Sequence, residues 1–435
     1  MSIRPQTYQE RRRRLMASLP ENTVAVFRTG SLCTRNNDCD YEFRPDSSFF
    51  YLCGFGEPDA LLFIQADGHA TLGVLPKDPE RELWDGFRHG VEGAKATFGV
   101  DEAFELTEVD ERALTLLDGV ENVALLMHDK GLREQLWQWR DQLYRQKRQG
   151  KLPPDNFLDA TDTLHEMRLI KDEEEIAIME AAAQISVKAH EQAMRSVRPG
   201  QKEYQLEAEL NYVFMQQGAR HLAYNNIVAT GANACVLHYI SNDATIADGD
   251  LILIDAGCEL GCYASDITRT FPANGKFSEP QAALYQLVLD AQYASIEKMR
   301  VGEPYEAFHN AAIETLTAGL VRLGLLQGDV AELIENKAYR EFYMHNTGHW
   351  LGLDVHDCGR YKENSQSRTL QPGMVLTVEP GLYVAADNER VDPKWRGIGI
   401  RIEDDILIRE DGPYVLTHGL AKEIDDIEAL MSQHN

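Results

Sequence analysis

Two ten-residue stretches decide how this chain reads: DGDLILIDAG at residues 248–257 and PGMVLTVEPG at residues 372–381. They align without a gap as a turn glycine, an apolar strand, an acid, one further residue and a glycine, so that Asp255 falls on Glu379. Downstream, YASDITRTF (263–271) and IRIEDDILI (400–408) both read as acid-bearing strands and pair Asp266 with Glu403. A carboxylate beside a buried strand is costly to desolvate unless a cation or several donors compensate it. Two similar halves with two carboxylates each at matching positions therefore predict an internal duplication, its strands converging about a pseudo-two-fold axis on one central site. The competing reading is chance likeness between amphipathic strands, since alternating patterns are generic.

Working outward, each half also places a glycine just before an amphipathic helix, in RPGQKEYQLEAEL from Arg198 and RVGEPYEAFHNAAIETL from Arg300. Ahead of the first, KDEEEIAIMEAAAQISVKAHEQAMRSV from Lys171 has acids in its first turn and apolar residues at helical spacing. It predicts a long helix ending at Pro199-Gly200. Between residues 20 and 125, short apolar runs (Val24–Phe27, Ala60–Ile64, Val123–Met127) alternate with charged, helix-like stretches, the pattern of an α/β domain. At 435 residues the chain exceeds what one core usually supports. The expected fold class is thus α/β (α+β), with an N-terminal α/β domain over residues 1–165 and a larger duplicated domain over 166–435. YRQKRQGKLPPDN (144–156), a basic run followed by Gly150 and Pro153-Pro154, reads as the linker.

The formal net charge of -27 opposes non-specific binding to nucleic acid or anionic membrane. No apolar run approaches the roughly 18–20 residues needed to span a bilayer, so no membrane span is expected. The seven cysteines are odd in number and scattered, which suits reduced thiols. Cys258 and Cys262 have no second thiol pair with which to form a structural zinc site. The arginine run Arg11–Arg14 precedes no apolar stretch long enough for a secretory signal and reads as a surface helix before a strand. These features point to the cytoplasm.

Between the duplicated strands lies FYMHNTGHWLGLDVHD (342–357), with His345, His349 and His356. His349 is the best ligand among them, because flanking glycines permit close backbone approach. Asp255, Asp266, His349, Glu379 and Glu403 together offer four carboxylates and one imidazole. That is too many acids for a single zinc, but it suits two divalent cations about 3.5 to 4 Å apart sharing bridging carboxylates. Oxygen-rich donors favour manganese, iron, cobalt or magnesium. Strand alternation in GIGIRIEDDILI (397–408) puts Arg401 on the face of Glu403. There it either orients a carboxylate or forms a surface salt bridge, and both readings stay open. His238, in ANACVLHYI (232–240), follows an apolar run and taken alone reads as a core histidine.

In these residues, and in SSFFYLCGFGEPDALLFI (47–64), HEMRLIKDEEEI (165–176), DAGCELGCYASDITRTFPANGKF (255–277), GHWLGLDVHD (348–357), VLTVEPGLY (375–383) and GIGIRIEDD (397–405), the chain resembles the aminopeptidase P branch of the pita-bread metallopeptidase family. That family also contains prolidase, methionine aminopeptidase and creatinase. The resemblance covers essentially the whole chain. It implies a creatinase/aminopeptidase P-type first domain, a pita-bread second domain, and two divalent ions per subunit, usually manganese. By resemblance Asp255 binds one metal, His349 and Glu379 the other, and Asp266 and Glu403 bridge both. His238, His345, His356 and Arg401 match positions lining the substrate site, and Tyr383 a wall of the pocket for the residue after the scissile bond. The first domain is implied in a homo-oligomer, tetramer or dimer, with Asp38 and Trp84 as candidates lent to a neighbour's site. One departure is Asn346-Thr347 after His345, where a smaller residue such as glycine is expected.

The implied reaction is release of the N-terminal residue from peptides with proline second. A hydroxide bridging the two cations attacks the carbonyl, the cations stabilise the oxyanion, and Glu379 carries the proton from water to the leaving nitrogen. An Xaa-Pro bond is a tertiary amide with no N–H and a fixed ring, so it calls for a dedicated site. The nearest rival is prolidase, which accepts only Xaa-Pro dipeptides. Methionine aminopeptidase would not need the long first domain. A catalytically inactive pita-bread interaction protein would have lost ligands that this chain retains.

Overall fold

The alternating runs of the first part of the chain become one mixed sheet in the computed structural model, which describes residues 2–432. Its strands are β1 (Thr23–Arg28), β2 (Leu61–Ile64), β3 (Ala70–Val74), β4 (Glu102–Glu105), β5 (Asn122–Leu125) and β6 (Asn156–Asp159), in the order β4-β3-β2-β1-β5-β6. β1 pairs antiparallel with β2 and parallel with β5, and β6 extends the sheet parallel to β5 from Asn122↔Asn156. Helix α1 (Pro5–Ala17) carries the arginine run, but it is not the surface helix that the charges suggest. Arg11 and Arg12 are buried and donate to the carbonyls of Tyr51, Leu52 and Gly99. Helix α2 (Lys130–Arg145) buries Leu132, Leu136, Trp139 and Leu143, an i, i+4, i+7, i+11 stripe.

These elements belong to a unit spanning Ser2–Arg168, and a second unit begins at Leu169. The stretch 144–156, read above as an interdomain linker, is a connection inside the first unit. It leads from α2 into β6, whose Phe157 and Leu158 are only half-buried and whose pattern is too short to signal a strand.

In the second unit, helix α3 (Glu173–Ser196) starts on a capping box: Asp172 accepts from Glu174 N and Glu175 N, and Glu175 reaches back to Asp172 N, each at 3.0 Å. Helix α4 (Glu203–Gln216) follows, then the antiparallel strands β7 (Ile227–Thr230), β8 (Leu251–Asp255) and β9 (Thr268–Pro272). The same succession recurs with α5 (Glu279–Lys298), α6 (Glu306–Arg322), β10 (Val375–Val378), β11 (Gly381–Val384), β12 (Ile398–Arg401), β13 (Asp404–Arg409) and β14 (Gly412–Val415). Here β13 lies between β10 and β14, and β11 pairs with β12.

The halves are stitched where β9 meets the start of β13. Glu403 N donates to Thr268 O at 3.0 Å, Asp266 N to Asp405 Oδ2 at 3.1 Å, and Thr270 Oγ1 to Arg401 O at 3.0 Å. Beneath, one apolar cluster joins Ile252, Ile254 and Phe271 of the first half to Leu382, Ile400 and α5 residues Leu287 and Val288 of the second. A shared core thus presses the acid-bearing strand ends of both halves toward one place.

Candidate metal centre

Leu251–Ile254 are fully sequestered in β8, and Asp255 ends the strand opposite Ile227 of β7 and Thr268 of β9. The turn that returns the chain to Asp266 is tight: a Cβ on Gly257 would lie 1.8 Å from Ser265 O. In the second half the histidine-bearing segment runs as an extra strand along β10. Thr377 N donates to His349 O at 2.9 Å, Glu379 N to Thr347 O at 2.7 Å and Leu351 N to Val375 O at 3.0 Å. That approach requires Gly348, whose Cβ would stand 2.1 Å from Thr377 O. The ladder therefore sets His349 and Glu379 side by side.

The result is a cleft of about 500 Å³ lined by all five expected ligands, together with His238, His345, His356 and Arg401. Asp266, His349 and Glu403 each bring a donor atom within 4.8 Å of one another, the one such group among the described residues. His349 Nε2 stands 3.4 Å from Asp266 Oδ2 and 3.8 Å from Glu379 Oε1. Its Nδ1 is 3.0 Å from Trp350 O, which can only accept, so Nδ1 carries a proton, and Nε2, which faces the carboxylates, is the nitrogen that a cation would take in place of its proton.

The charges are poorly compensated by protein alone. Arg401, buried, reaches Asp255 Oδ2 at 2.6 Å, and Tyr224 directs its phenol at both Asp255 and Asp266. Burial, reinforced by neighbouring carboxylates, pushes the acids Asp266, Glu379 and Glu403 up from the usual carboxylate range. Burial opposes protonation of His349, yet Asp266 and Glu379 drive it up to about 9. Three carboxylates and an imidazole crowded in one buried site are a donor set suited to cations, and oxygen donors with one imidazole fit divalent metals.

Around this set the remaining candidates divide. Arg401 lines the cleft and is buried, so it makes no surface salt bridge: besides Asp255 it donates from Nε to Thr268 Oγ1 at 3.1 Å and from Nη1 to Tyr383 OH at 3.1 Å. His238 and His356 are exposed in the cleft, so His238 is no core residue, and His356 packs edge-on to His349 with ring centroids 4.3 Å apart. His345 has both nitrogens engaged: Nδ1 donates to Asn346 O at 2.7 Å and Nε2 accepts from Tyr383 OH at 2.8 Å. Burial and the Arg401 charge hold it neutral, with its pKa lowered to about 3. Tyr383 is buried in β11 behind His345 and Arg401. Asp38 and Trp84 lie on the first unit, Asp38 in an exposed hairpin and Trp84 in the short helix Pro79–Asp85 with 84% of its surface exposed.

Three supporting residues escaped the sequence reading. Tyr224 sits beside Asp255 and Asp266, Thr268 donates to Glu403 Oε2 at 2.6 Å, and Asp405 accepts from Asp266 N. Thr268 and Asp405 sit in the quoted motifs, but only strand register shows which carboxylate each one meets.

Comparison with known proteins agrees with this geometry. Residues 177–410 match the model of metallopeptidase family M24, and residues 8–125 that of the aminopeptidase P N-terminal domain. The chain is 45% identical over 428 residues to a Xaa-Pro aminopeptidase of Haemophilus influenzae, covering 98% of this chain and 97% of that one. It is 43% identical over 434 residues to a Xaa-Pro aminopeptidase of Escherichia coli, covering 99% and 98%. Among solved structures, aminopeptidase PepP of Pseudomonas aeruginosa superposes with a TM-score of 0.98 at 47% identity over 99% of each chain.

Proposed function

The chain belongs to metallopeptidase family M24, with an aminopeptidase P-type N-terminal domain ahead of the pita-bread domain, and from that membership we propose that it is a Xaa-Pro aminopeptidase. It is a metal-dependent exopeptidase that releases the N-terminal residue from peptides with proline second. The observation that carries this reading is the convergence of Asp255, Asp266, His349, Glu379 and Glu403 on one cleft, in a chain similar along its whole length to proteins of that activity.

In this reading the cleft would hold two divalent ions, manganese by preference, with Asp255 serving one, His349 and Glu379 the other, and Asp266 and Glu403 available to both. When bound, such ions lower the pKa of water and stabilise an oxyanion on the scissile carbonyl. Glu379, its carboxyl pushed up by burial, is suited to accept a proton at a carboxylate oxygen and pass it to the proline nitrogen. His238 and His356 offer ring N–H donors to the peptide. Burial and His349 pull the His356 pKa down, which favours a neutral donor. Arg401 holds Asp255, and Tyr383 holds Arg401 and His345.

We further assign residues 1–165 to self-association in a homodimer or homotetramer and 166–435 to catalysis. Leu83, Trp84 and Phe87, at 82%, 84% and 69% exposure, form an apolar surface of the first unit that an assembly would cover. Within it Trp84, with Asp38, would reach a neighbouring subunit's site. Seven free thiols and the acidic charge suit a cytoplasmic protein whose partners are peptides rather than nucleic acid or membrane.

Metal analysis combined with Xaa-Pro dipeptide and Xaa-Pro-Xaa tripeptide assays tests the proposal. Cleavage of dipeptides alone would assign the protein as a prolidase, and inertness with metal bound would leave an interaction protein. Full activity in Asp266→Ala without bound metal would remove the basis of the reading.

A further inference from the structure

One wall of the cleft is a segment with little reason to stay in place. Residues 231–244 leave the end of β7 through a short 3-10 turn (Gly231–Cys235) and then have no regular structure. Leu237, His238 and Ile240 line the cleft from it. Val236 and Ile240 are 55% and 57% exposed, and Leu237 and Tyr239 are only partly buried against Ile227, Leu253 and Tyr383, so apolar packing holds its middle lightly.

What reaches it is a carboxylate that the catalytic scheme does not use. Glu203, the first residue of α4, is fully buried. Its Oε1 accepts from Thr230 N at 2.7 Å and Asn233 Nδ2 at 3.1 Å, and its Oε2 from Tyr239 OH at 2.8 Å and Ala244 N at 2.9 Å. Glu203 N also donates to Ala244 O at 3.1 Å. One side chain therefore ties together both ends of the segment and, through the residue next to His238, its middle. Asn242 provides a second clamp at the far end, accepting from Val228 N at 3.0 Å and donating to Asn226 O at 2.9 Å and Glu207 Oε2 at 3.0 Å. Between these anchors, Tyr239 is the side chain that bonds residues 236–241 back to the body of the unit.

We propose that Glu203, acting through Tyr239, is a positioning residue that holds His238 against the substrate, an inference resting on the peptidase reading above. All four partners of Glu203 are neutral donors, so the clamp is made of directional hydrogen bonds and cannot be replaced by a general attraction. An amide at this position must turn its NH2 toward one pair of donors, leaving at least one N–H facing another donor.

The test uses the manganese-loaded protein and the variants Tyr239→Phe, Glu203→Gln, His238→Ala and Tyr239→Phe/His238→Ala. Tyr239→Phe removes one hydroxyl and should leave metal content and melting temperature near wild type. It should lower kcat/KM on an Xaa-Pro-Xaa tripeptide roughly three- to tenfold, the worth of one hydrogen bond, mainly through KM. In the His238→Ala background the same change should cost nothing, which a merely structural role would not produce. Hydrogen exchange over residues 231–244 should accelerate in Tyr239→Phe and more so in Glu203→Gln, with the α5 and α6 amides unchanged. Unchanged exchange, or an equal loss with and without His238, overturns the proposal. A wild type inert toward every Xaa-Pro peptide overturns the proposed function and the catalytic role of the clamp together. The exchange arm, read without substrate, separates that outcome from failure of the clamp itself.

Discussion

Replacing Lys171 with methionine should destabilise the second unit far more than loss of a surface charge would. Lys171 Nζ lies 2.9 Å from Asp357 Oδ2, and both side chains are only 1% exposed. Gly352 leaves room for the pair, since a Cβ there would come within 2.1 Å of Asp357 Oδ2 and 2.9 Å of Lys171 Cε. Removing the ammonium takes the 2.9 Å cationic partner from a buried carboxylate, and breaking a buried pair costs about 3–5 kcal/mol, whereas an exposed pair contributes about 0–1 kcal/mol. The damage should reach the cleft, because Asp357 N and His349 Nδ1 both donate to Trp350 O, at 2.9 and 3.0 Å. Urea unfolding of metal-loaded Lys171→Met, Asp357→Leu and the double variant forms the thermodynamic cycle. Each single change should lower stability by several kcal/mol, and the double should recover most of it, because two apolar side chains replace a buried pair with little net loss. Manganese titration should show weaker binding in Lys171→Met, about tenfold by the usual effect of disturbing a ligand's support. A Lys171→Met loss below about 1 kcal/mol, or strict additivity in the double variant, would show that the pair is not the interior clamp its burial implies.

Other perturbations test other parts of the structure. Chelation should abolish peptide hydrolysis and also lower the melting temperature, since manganese at about a hundred times its Kd adds about 2.7 kcal/mol; calorimetry with and without metal checks this. Gly348→Ala should displace His349 and abolish metal binding while the first unit stays folded, because the added methyl meets the carbonyl of Thr377 in the β10 ladder; metal analysis and crystallography of the variant read it directly. His190 is buried with Nε2 on Ala256 O at 2.9 Å, and burial pulls its pKa down to about 4. The unfolded chain therefore takes up this proton first, so stability should fall as pH drops from about 6.5 to about 4 by up to about 3 kcal/mol from this group. Comparing wild type with His190→Gln across that range should show a shallower slope in the variant.

The duplication was legible because both halves place an acid at the end of an apolar strand, and desolvation makes such acids conspicuous. The start of α3 could likewise be read from acids in the first turn of an apolar stripe. The weak signals failed where tertiary contacts overrode composition. Arg11 and Arg12 read as surface charges but are buried, because carbonyls of Tyr51, Leu52 and Gly99 receive them. Strand β6 followed a basic, proline-containing run that resembled a linker, and only its parallel pairing with β5 makes it part of the first sheet. In the site, ionisable types stood out, while Tyr224 and Thr268, neutral and common, acquire meaning only through the register that sets them beside Asp255, Asp266 and Glu403. Glu203 belongs to the same class: an acid in the first turn of a helix is ordinary, and nothing in its neighbours announces four donors arriving from residues 230–244.

The symmetry of the duplication also conceals an asymmetry on which the chemistry depends. Asp255 and Glu379 occupy matching positions, and by pattern alone they are interchangeable. The fold treats them differently. Asp255 Oδ2 is clasped by the Arg401 guanidinium at 2.6 Å, and Oδ1 accepts from Tyr224 OH at 2.6 Å. Among the described residues Glu379 has no comparably close partner: the nearest imidazole nitrogens stand 3.8 Å away, on His345 and His349, and burial, against the pull of His349 and Arg401, makes its carboxyl readier to take a proton. The two acids thus differ in their surroundings, Asp255 fixed by a guanidinium and Glu379 left open toward the cleft, which suits the proton-carrying role proposed for Glu379. Arg401 comes from β12 in the half that supplies Glu379, yet it neutralises the acid of the other half. The two halves must therefore be assembled before either acid acquires its role.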